Sequence, residues 1–259
     1  MRKVLAFDLD GTLAPSKSPL PPRMGELIDA LLNDFEICVI SGGMFSQFQL
    51  QLLSGLKSDD AKLAKLHIMP TCGTQYYRFG NGDWQQVYAE NIDEEGKQRI
   101  IAAINEGVDA LGLREAQTWG ETIEDRGSQI TFSALGQDIV AQLGDEGVRK
   151  KEAWDPDTKK KQALRDYVAE RIPDFEVRVG GGTSIDITRP GIDKAYGMQK
   201  LMDTLGVAKE DILFFGDRLA EGGNDYPVVE FGIDSLEVSG WEHTAHRLES
   251  ILAVIDKKV

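Results

Sequence analysis

Apolar residues open the chain in a short unbroken run, Val4-Leu5-Ala6-Phe7, that stops abruptly at Asp8. A run without alternation fits a strand covered on both faces, as in a parallel sheet. After a loop punctuated by Pro19, Pro21 and Pro22, the spacing of Leu27, Ile28, Leu31 and Leu32 predicts a helix over 24–32. A second buried strand, Ile37-Cys38-Val39-Ile40, ends at Ser41-Gly42-Gly43, and Phe45, Phe48, Leu52 and Leu53 mark the next helix. His67-Ile68-Met69 reads as a third strand. Strands alternating with helices predict an α/β fold, a doubly wound parallel sheet of Rossmann-like type.

The pattern then changes. A long helix is expected from about Trp84 through Ile100, Ile101 and Ile104, followed by strand-like runs at Thr122-Ile123 and Ile130-Thr131-Phe132. A helix beginning at Lys159-Lys160-Lys161 leads to Leu164 and Val168, and two further strands, 176–179 and 184–188, flank Gly180-Gly181-Gly182. Strands paired through turns point to an α+β module inserted into the first domain. After Pro190 the α/β pattern returns: a helix through Met198, Leu201 and Leu205, a buried strand Ile212-Leu213-Phe214-Phe215, a strand at Val228-Val229 and a last helix through Leu248, Ile251 and Leu252. The expected organisation is a core domain over 1–83 and 189–259 with an inserted domain over 84–188.

Charge narrows the class of partner. The 259 residues hold 29 Lys+Arg against 43 Asp+Glu, a formal charge of -14. So acidic a surface repels nucleic-acid backbones and anionic lipid, and neither is expected as a partner. A phosphorylated substrate would need its own local positive charge. No apolar run approaches the roughly 20 residues that span a bilayer. Nor is the N-terminal apolar run long enough for a signal-peptide core. Two cysteines, Cys38 and Cys72, make no disulfide framework, and a cytoplasmic location is expected.

Four features fall at predicted strand ends, where open α/β sheets build their sites. Asp8-Leu9-Asp10-Gly11-Thr12 sets two carboxylates one residue apart, suited to Mg²⁺ and to nucleophilic and acid–base work at phosphorus. Ser41-Gly42 offers a hydroxyl and backbone N–H groups before a helix, a seat for phosphate. Lys194 follows Asp193 at a helix start, and Gly216-Asp217 precedes Gly222-Gly223-Asn224-Asp225. Each alone is a common turn or surface residue; their order along the chain is what carries the reading.

In that order the motifs resemble those of haloacid dehalogenase-like phosphotransferases whose large cap is inserted between the Ser and Lys motifs. Within that group the chain is most similar to the eukaryotic-type phosphomannomutases, through Phe214-Phe215-Gly216-Asp217, Gly222-Gly223-Asn224-Asp225 and Gly191-Ile192-Asp193-Lys194. The resemblance implies Asp8 as the phosphorylated nucleophile and Asp10 as acid/base. It further implies Mg²⁺ held by Asp8, the Asp10 backbone carbonyl and Asp217 with Asp225 in support, and Ser41 and Lys194 on the transferring phosphoryl group. Such a cap would close over a small phosphorylated sugar, and a homodimer through the cap is implied as well. Arg126 matches an arginine that grips a distal phosphate, Ser184 and Asp186 match sugar-contacting residues, and Arg149 matches a further cap arginine across a gap.

Two positions depart from the mutase pattern. Gln137 and Lys17 stand where arginines are expected. Losing a guanidinium fork weakens the grip on a second phosphate, which favours hydrolysis of the phosphoaspartate over its return to the sugar. The sequence therefore favours a Mg²⁺-dependent sugar phosphatase, with a phosphomannomutase as the alternative and a catalytically silent phospho-ligand binder as a third class. The three histidines, His67, His243 and His246, read as solvated surface, as do the lysine-rich runs. The four tryptophans read as packing anchors.

Overall fold

Val4 to Phe7 are wholly buried, and so are Ile37 to Ile40, because both strands lie inside a sheet with helices on each face. The structure, a computed structural model, describes residues 2–255. In chain order its strands are β1 (Val4–Phe7), β2 (Glu36–Ile40), β3 (Leu66–Met69), β4 (Gln75–Gly80), β5 (Asp83–Ala89), β6 (Ile123–Asp125), β7 (Gln129–Ser133), β8 (Glu176–Val179), β9 (Ser184–Thr188), β10 (Ile212–Gly216) and β11 (Ser235–Glu237). They form two sheets: one of seven strands, ordered β11-β10-β1-β2-β3-β4-β5, and one of four, ordered β6-β7-β9-β8.

The large sheet is parallel from β11 to β3 and antiparallel at β4 and β5. β1 runs between β10 and β2 with Phe7 opposite both Phe215 and Val39. The chain therefore leaves β1 in one direction and later returns on its other side, which opens a crevice at the carboxyl end of β1. Phe7 and Phe215 stack there with ring centroids 4.9 Å apart. Burying a ring of this kind contributes about 2–3 kcal/mol, so the strand tips that carry the acidic residues rest on firm packing.

The chain divides into two units: the described residues through Ala89 together with those from Ile192, and Glu90 to Gly191. Both edges differ from the expected 84 and 188, the first by more, because Trp84 belongs to no helix. It lies in β5, paired with β4 in the hairpin at the edge of the large sheet, and packs on Phe45 and Phe79. The expected long helix begins at Glu94 instead, where the Asp93 side chain accepts from Gly96 N at 2.8 Å and caps it. Ile100, Ile104 and Val108 then fall on one helical face and pack into a cluster with Ile130, Phe132, Ile185 and Ile187 from the four-stranded sheet.

Two more readings are corrected. Val228-Val229 is helical, within Tyr226–Glu230, and the strand beside β10 is Ser235–Glu237. Pro227 in the first helical turn is well placed to start a helix and cannot donate in a ladder. His67 is not surface. It is fully buried in β3, with Nδ1 2.7 Å from the Tyr76 hydroxyl and Nε2 2.9 Å from Glu36 Oε2. Burial holds its imidazole below the usual histidine range, against the pull of Glu36. Lys161 also departs from the solvated reading: it is buried and donates to the Gly181 carbonyl at 3.1 Å. No described helix is long and apolar enough to cross a membrane.

Candidate active site

Asp8 is the first residue past β1, and its N–H donates to the Phe215 carbonyl at 3.0 Å, which ties it to the end of β10. The next residue after β10 is Asp217, so sheet register alone brings these two carboxylates together. The Asp193 side chain caps the helix Lys194–Leu205 by accepting from Tyr196 N at 3.0 Å, which fixes Lys194 in its first turn. Its ammonium donates to Asp8 Oδ1 and to Asp225 Oδ1. Asp8, Lys194 and Asp225 are each at most 3% exposed.

Charge in this cluster is unbalanced. One ammonium faces two buried carboxylates, and half-buried Asp217 adds a third. Burial pushes the Asp8 carboxyl up to about 7, with Lys194 opposing and Asp225 adding to the shift. Burial likewise raises Asp217, helped by Asp225. Burial works against the Lys194 charge, but the two carboxylates outweigh it and hold the ammonium above its ordinary range. Such a site favours whatever brings in positive charge.

The donor set fits a hard divalent cation. Asp8, Asp217 and Asp225 each offer a carboxylate oxygen, all within 4.8 Å of one another. Asp217 Oδ1 is buried and has no hydrogen-bond partner, an arrangement that costs free energy unless something else coordinates it. The backbone is cut to fit these acids. Gly11 adopts φ +84°, and a Cβ there would lie 2.5 Å from Asp217 Oδ2. A Cβ on Gly216 would lie 2.5 Å from Asp225 Oδ2.

Asp10 takes a different place. Its carboxylate accepts from Lys17 N at 2.6 Å and Gln51 Nε2 at 3.1 Å on Oδ1, and from Gln47 Nε2 at 3.1 Å on Oδ2. Thus Lys17 contributes its backbone, at φ +54°, while the residue itself is exposed. Ser41 is buried after β2, and its hydroxyl accepts from Gly43 N at 3.3 Å; Gly42 is half-buried beside it. Gln47 and Gln51 escaped the sequence reading. Their spacing of four on one short helix beside the Ser41 loop was the signal that could have found them.

The remaining candidates belong to the smaller unit. Register places Glu124, Thr131, Asp186 and Arg178 in one row across the four strands, with Ser133 opposite Ser184. This is the polar face of the sheet. Asp186 Oδ1 accepts from Thr131 Oγ1 at 2.7 Å and Gln129 Nε2 at 3.0 Å. Arg126 Nε donates to Glu124 Oε2 at 2.6 Å, and Gln137 Nε2 reaches the Thr131 carbonyl at 3.4 Å. Arg149 is exposed on the helix Asp145–Trp154.

Known proteins resemble this chain in sequence and in fold. A family model described as haloacid dehalogenase-like hydrolase matches residues 5–231. Phosphomannomutase of Encephalitozoon cuniculi is 24% identical over 261 residues, 98% of this chain and 95% of that protein. Phosphomannomutase of Schizosaccharomyces pombe is 27% identical, over 88% of this chain and 85% of its own length. Among solved structures, a haloacid dehalogenase-like hydrolase from Bacteroides thetaiotaomicron aligns with TM-score 0.66 at 14% identity, over 97% of this chain and all 100% of that one. IMP-bound IMP-nucleotidase of Plasmodium falciparum aligns with TM-score 0.68 at 17% identity, over 97% of this chain and 68% of its own. Those structural likenesses concern the fold.

Proposed function

The chain belongs to the haloacid dehalogenase-like hydrolases, and from that membership together with the geometry around Asp8 we propose that it transfers phosphoryl groups to and from a small phosphorylated hexose through Asp8. The observation that carries this reading is the buried Asp8 carboxylate held by Lys194 beside Asp217 and Asp225. Asp8 Oδ2 attacks phosphorus while the bond from phosphorus to the sugar oxygen breaks, and Asp10 delivers a proton to that oxygen. Lys194 orients Asp8, favours its ionised form against the opposing effect of burial, and offsets charge on the transferring group. Ser41 and the backbone at Gly42 are placed to seat phosphoryl oxygens. Asp8, Asp217 and Asp225 would hold Mg²⁺, and the Asp10 backbone carbonyl would join them as the family resemblance implies. When bound, it supplies positive charge to the phosphoryl oxygens.

What happens next separates a mutase from a phosphatase. Relatives named phosphomannomutase that match along nearly the whole chain favour return of the phosphoryl group to the sugar, and we take the mutase as the first reading. That reverses the preference drawn from the sequence alone. Gln137 supports the second reading, hydrolysis. The polar face of the four-stranded sheet carries Arg126 and Arg178, already paired with Glu124 and Glu176, so little uncompensated positive charge is left there for a second phosphate.

A paired assay decides between them. Mannose 1-phosphate with a hexose bisphosphate activator is expected to give mannose 6-phosphate, with inorganic phosphate measured in the same samples. Isomerisation outpacing phosphate release supports the mutase, and the reverse supports the phosphatase. Turnover of neither sinks both. Gln137→Arg is expected to raise the ratio of isomerisation to hydrolysis about tenfold, the worth of one charge-assisted hydrogen bond.

Mg²⁺ binding has its own signature. Because the Asp8 carboxyl is pushed up to about 7, protons compete for the site below that pH and not above it. The Mg²⁺-induced rise in melting temperature should therefore be larger at pH 8 than at pH 6. Equal rises at both, measured by differential scanning calorimetry, would count against Asp8 as a ligand.

A further inference from the structure

We propose that Gln47 and Gln51 are positioning residues for Asp10, a two-amide clamp that presents its carboxylate as a proton carrier with one oxygen anchored and the other releasable. The inference rests on the phosphoaspartate reading above. It starts from hydrogen-bond directions that the network itself fixes. Gln51 is 3% exposed, and its Nε2 donates to the Ser18 carbonyl at 3.0 Å, which can only accept. That sets the orientation of the Gln51 amide. Its Oε1 then faces Gln47 and accepts from Gln47 Nε2 at 2.5 Å. The Gln47 amide is thereby fixed as well, with Nε2 toward Asp10 Oδ2.

Each hydrogen bond to the Asp10 carboxylate among the described residues is consequently donated by an N–H. The two oxygens are held unequally. Oδ1 takes two donors, the Lys17 backbone N–H and the buried Gln51 amide. Among the described residues Oδ2 takes a single donor, the amide of half-buried Gln47. Gly43 makes room for the Gln47 side chain: a Cβ there would lie 2.3 Å from Gln47 Oε1. Oδ2 is thus the oxygen that can leave its partner, and it is the one that carries the proton.

The proton accounting closes for both directions of the cycle. In phosphoenzyme formation the Asp8 oxygen bonds to phosphorus, the phosphorus–sugar oxygen bond breaks, and the proton on Asp10 Oδ2 moves to the sugar oxygen, which leaves Asp10 as a carboxylate in its clamp. In the reverse or hydrolytic half, a sugar hydroxyl or water gives that oxygen its proton as it attacks phosphorus, and the bond to Asp8 breaks.

A leaving-group comparison tests the clamp, because a sugar alkoxide needs the proton and p-nitrophenolate does not. Gln51→Leu and Gln47→Ala would be compared with wild type and Asp10→Asn, all loaded with Mg²⁺. Two rates are read: turnover of mannose 6-phosphate or mannose 1-phosphate, and the burst of p-nitrophenolate from p-nitrophenyl phosphate. The expected result is a loss of about ten- to a hundredfold on the sugar phosphate with the burst changed less than about twofold, the same selectivity as Asp10→Asn in milder form. Equal losses on both substrates would mean that the glutamines serve only the fold, and no loss on either would mean that they do not position Asp10; both results overturn the clamp. Gln47 is half-exposed, so Gln47→Ala keeps the comparison interpretable should Gln51→Leu not fold. A wild-type protein with neither turnover nor burst overturns the phosphoaspartate reading itself, and the clamp with it.

Discussion

Asp8→Asn is expected to abolish phosphoenzyme formation, lowering turnover by at least about a thousandfold, while leaving the metal-free protein as stable as wild type or more so. The two halves of this expectation have one cause. With Lys194 the sole cation paired with Asp8 and Asp225 among the described residues, the wild-type cluster carries excess negative charge in a buried place. Burial already pushes the Asp8 carboxyl up to about 7. A neutral amide of the same shape removes the excess and keeps an oxygen to accept from Lys194. The same substitution deletes a carboxylate from the set that would hold Mg²⁺, so the Mg²⁺-induced gain in melting temperature should largely vanish. Thermal unfolding with and without Mg²⁺, alongside acid-quench trapping of phosphoprotein, checks both halves. A variant that still accumulates phosphoprotein would remove Asp8 from the nucleophile's role.

Lys194→Met should have the opposite effect on the fold. It strips the Lys194 ammonium from two carboxylates that are 3% and 0% exposed, and a broken buried pair costs about 3–5 kcal/mol. For a protein of this size that corresponds to a fall in melting temperature of about 10 °C. Mg²⁺ should restore part of it by neutralising the same oxygens. Activity should fall at least about a hundredfold, because the positive charge aimed at the phosphoryl group is gone. Lys194→Arg is not expected to rescue activity: the side chain is 1% exposed, and a planar fork does not fit where a compact ammonium sits between two acids. Urea unfolding and steady-state rates on the three proteins test this. A stability loss under about 1 kcal/mol for Lys194→Met would show that the buried pairing contributes little.

Local chemistry was readable in the chain because it is local. Val4-Leu5-Ala6-Phe7 stops at Asp8, Ile37 to Ile40 stop at Ser41, and Ile212 to Phe215 lead into Gly216-Asp217; each apolar run announces a buried strand, and each polar residue after it marks a strand end. The parallel sheet and the insertion of a second unit followed from the change between these runs and the paired strands of the middle. Elements whose pattern is ambiguous were misread. The β4–β5 hairpin has an exposed face and an edge, so Trp84 offered no clear period, and two valines after Pro227 look like a strand until the proline's place in a first helical turn is known.

Other features depend on distance in space and left no trace along the chain. Nothing in the sequence tells that the Lys194 ammonium divides itself between Asp8 and Asp225, or that Asp217 Oδ1 is buried without a partner. The fixing of Asp10 by two glutamines of a neighbouring helix, and the seclusion of His67 between Glu36 and Tyr76, arise only when separate strands and helices are packed. Residue type and order along the chain set which groups are available and at which strand tips they emerge. Hydrogen-bond direction, burial and charge balance belong to the folded molecule, because each is a property of neighbours that the chain brings together only by closing loops dozens to hundreds of residues long.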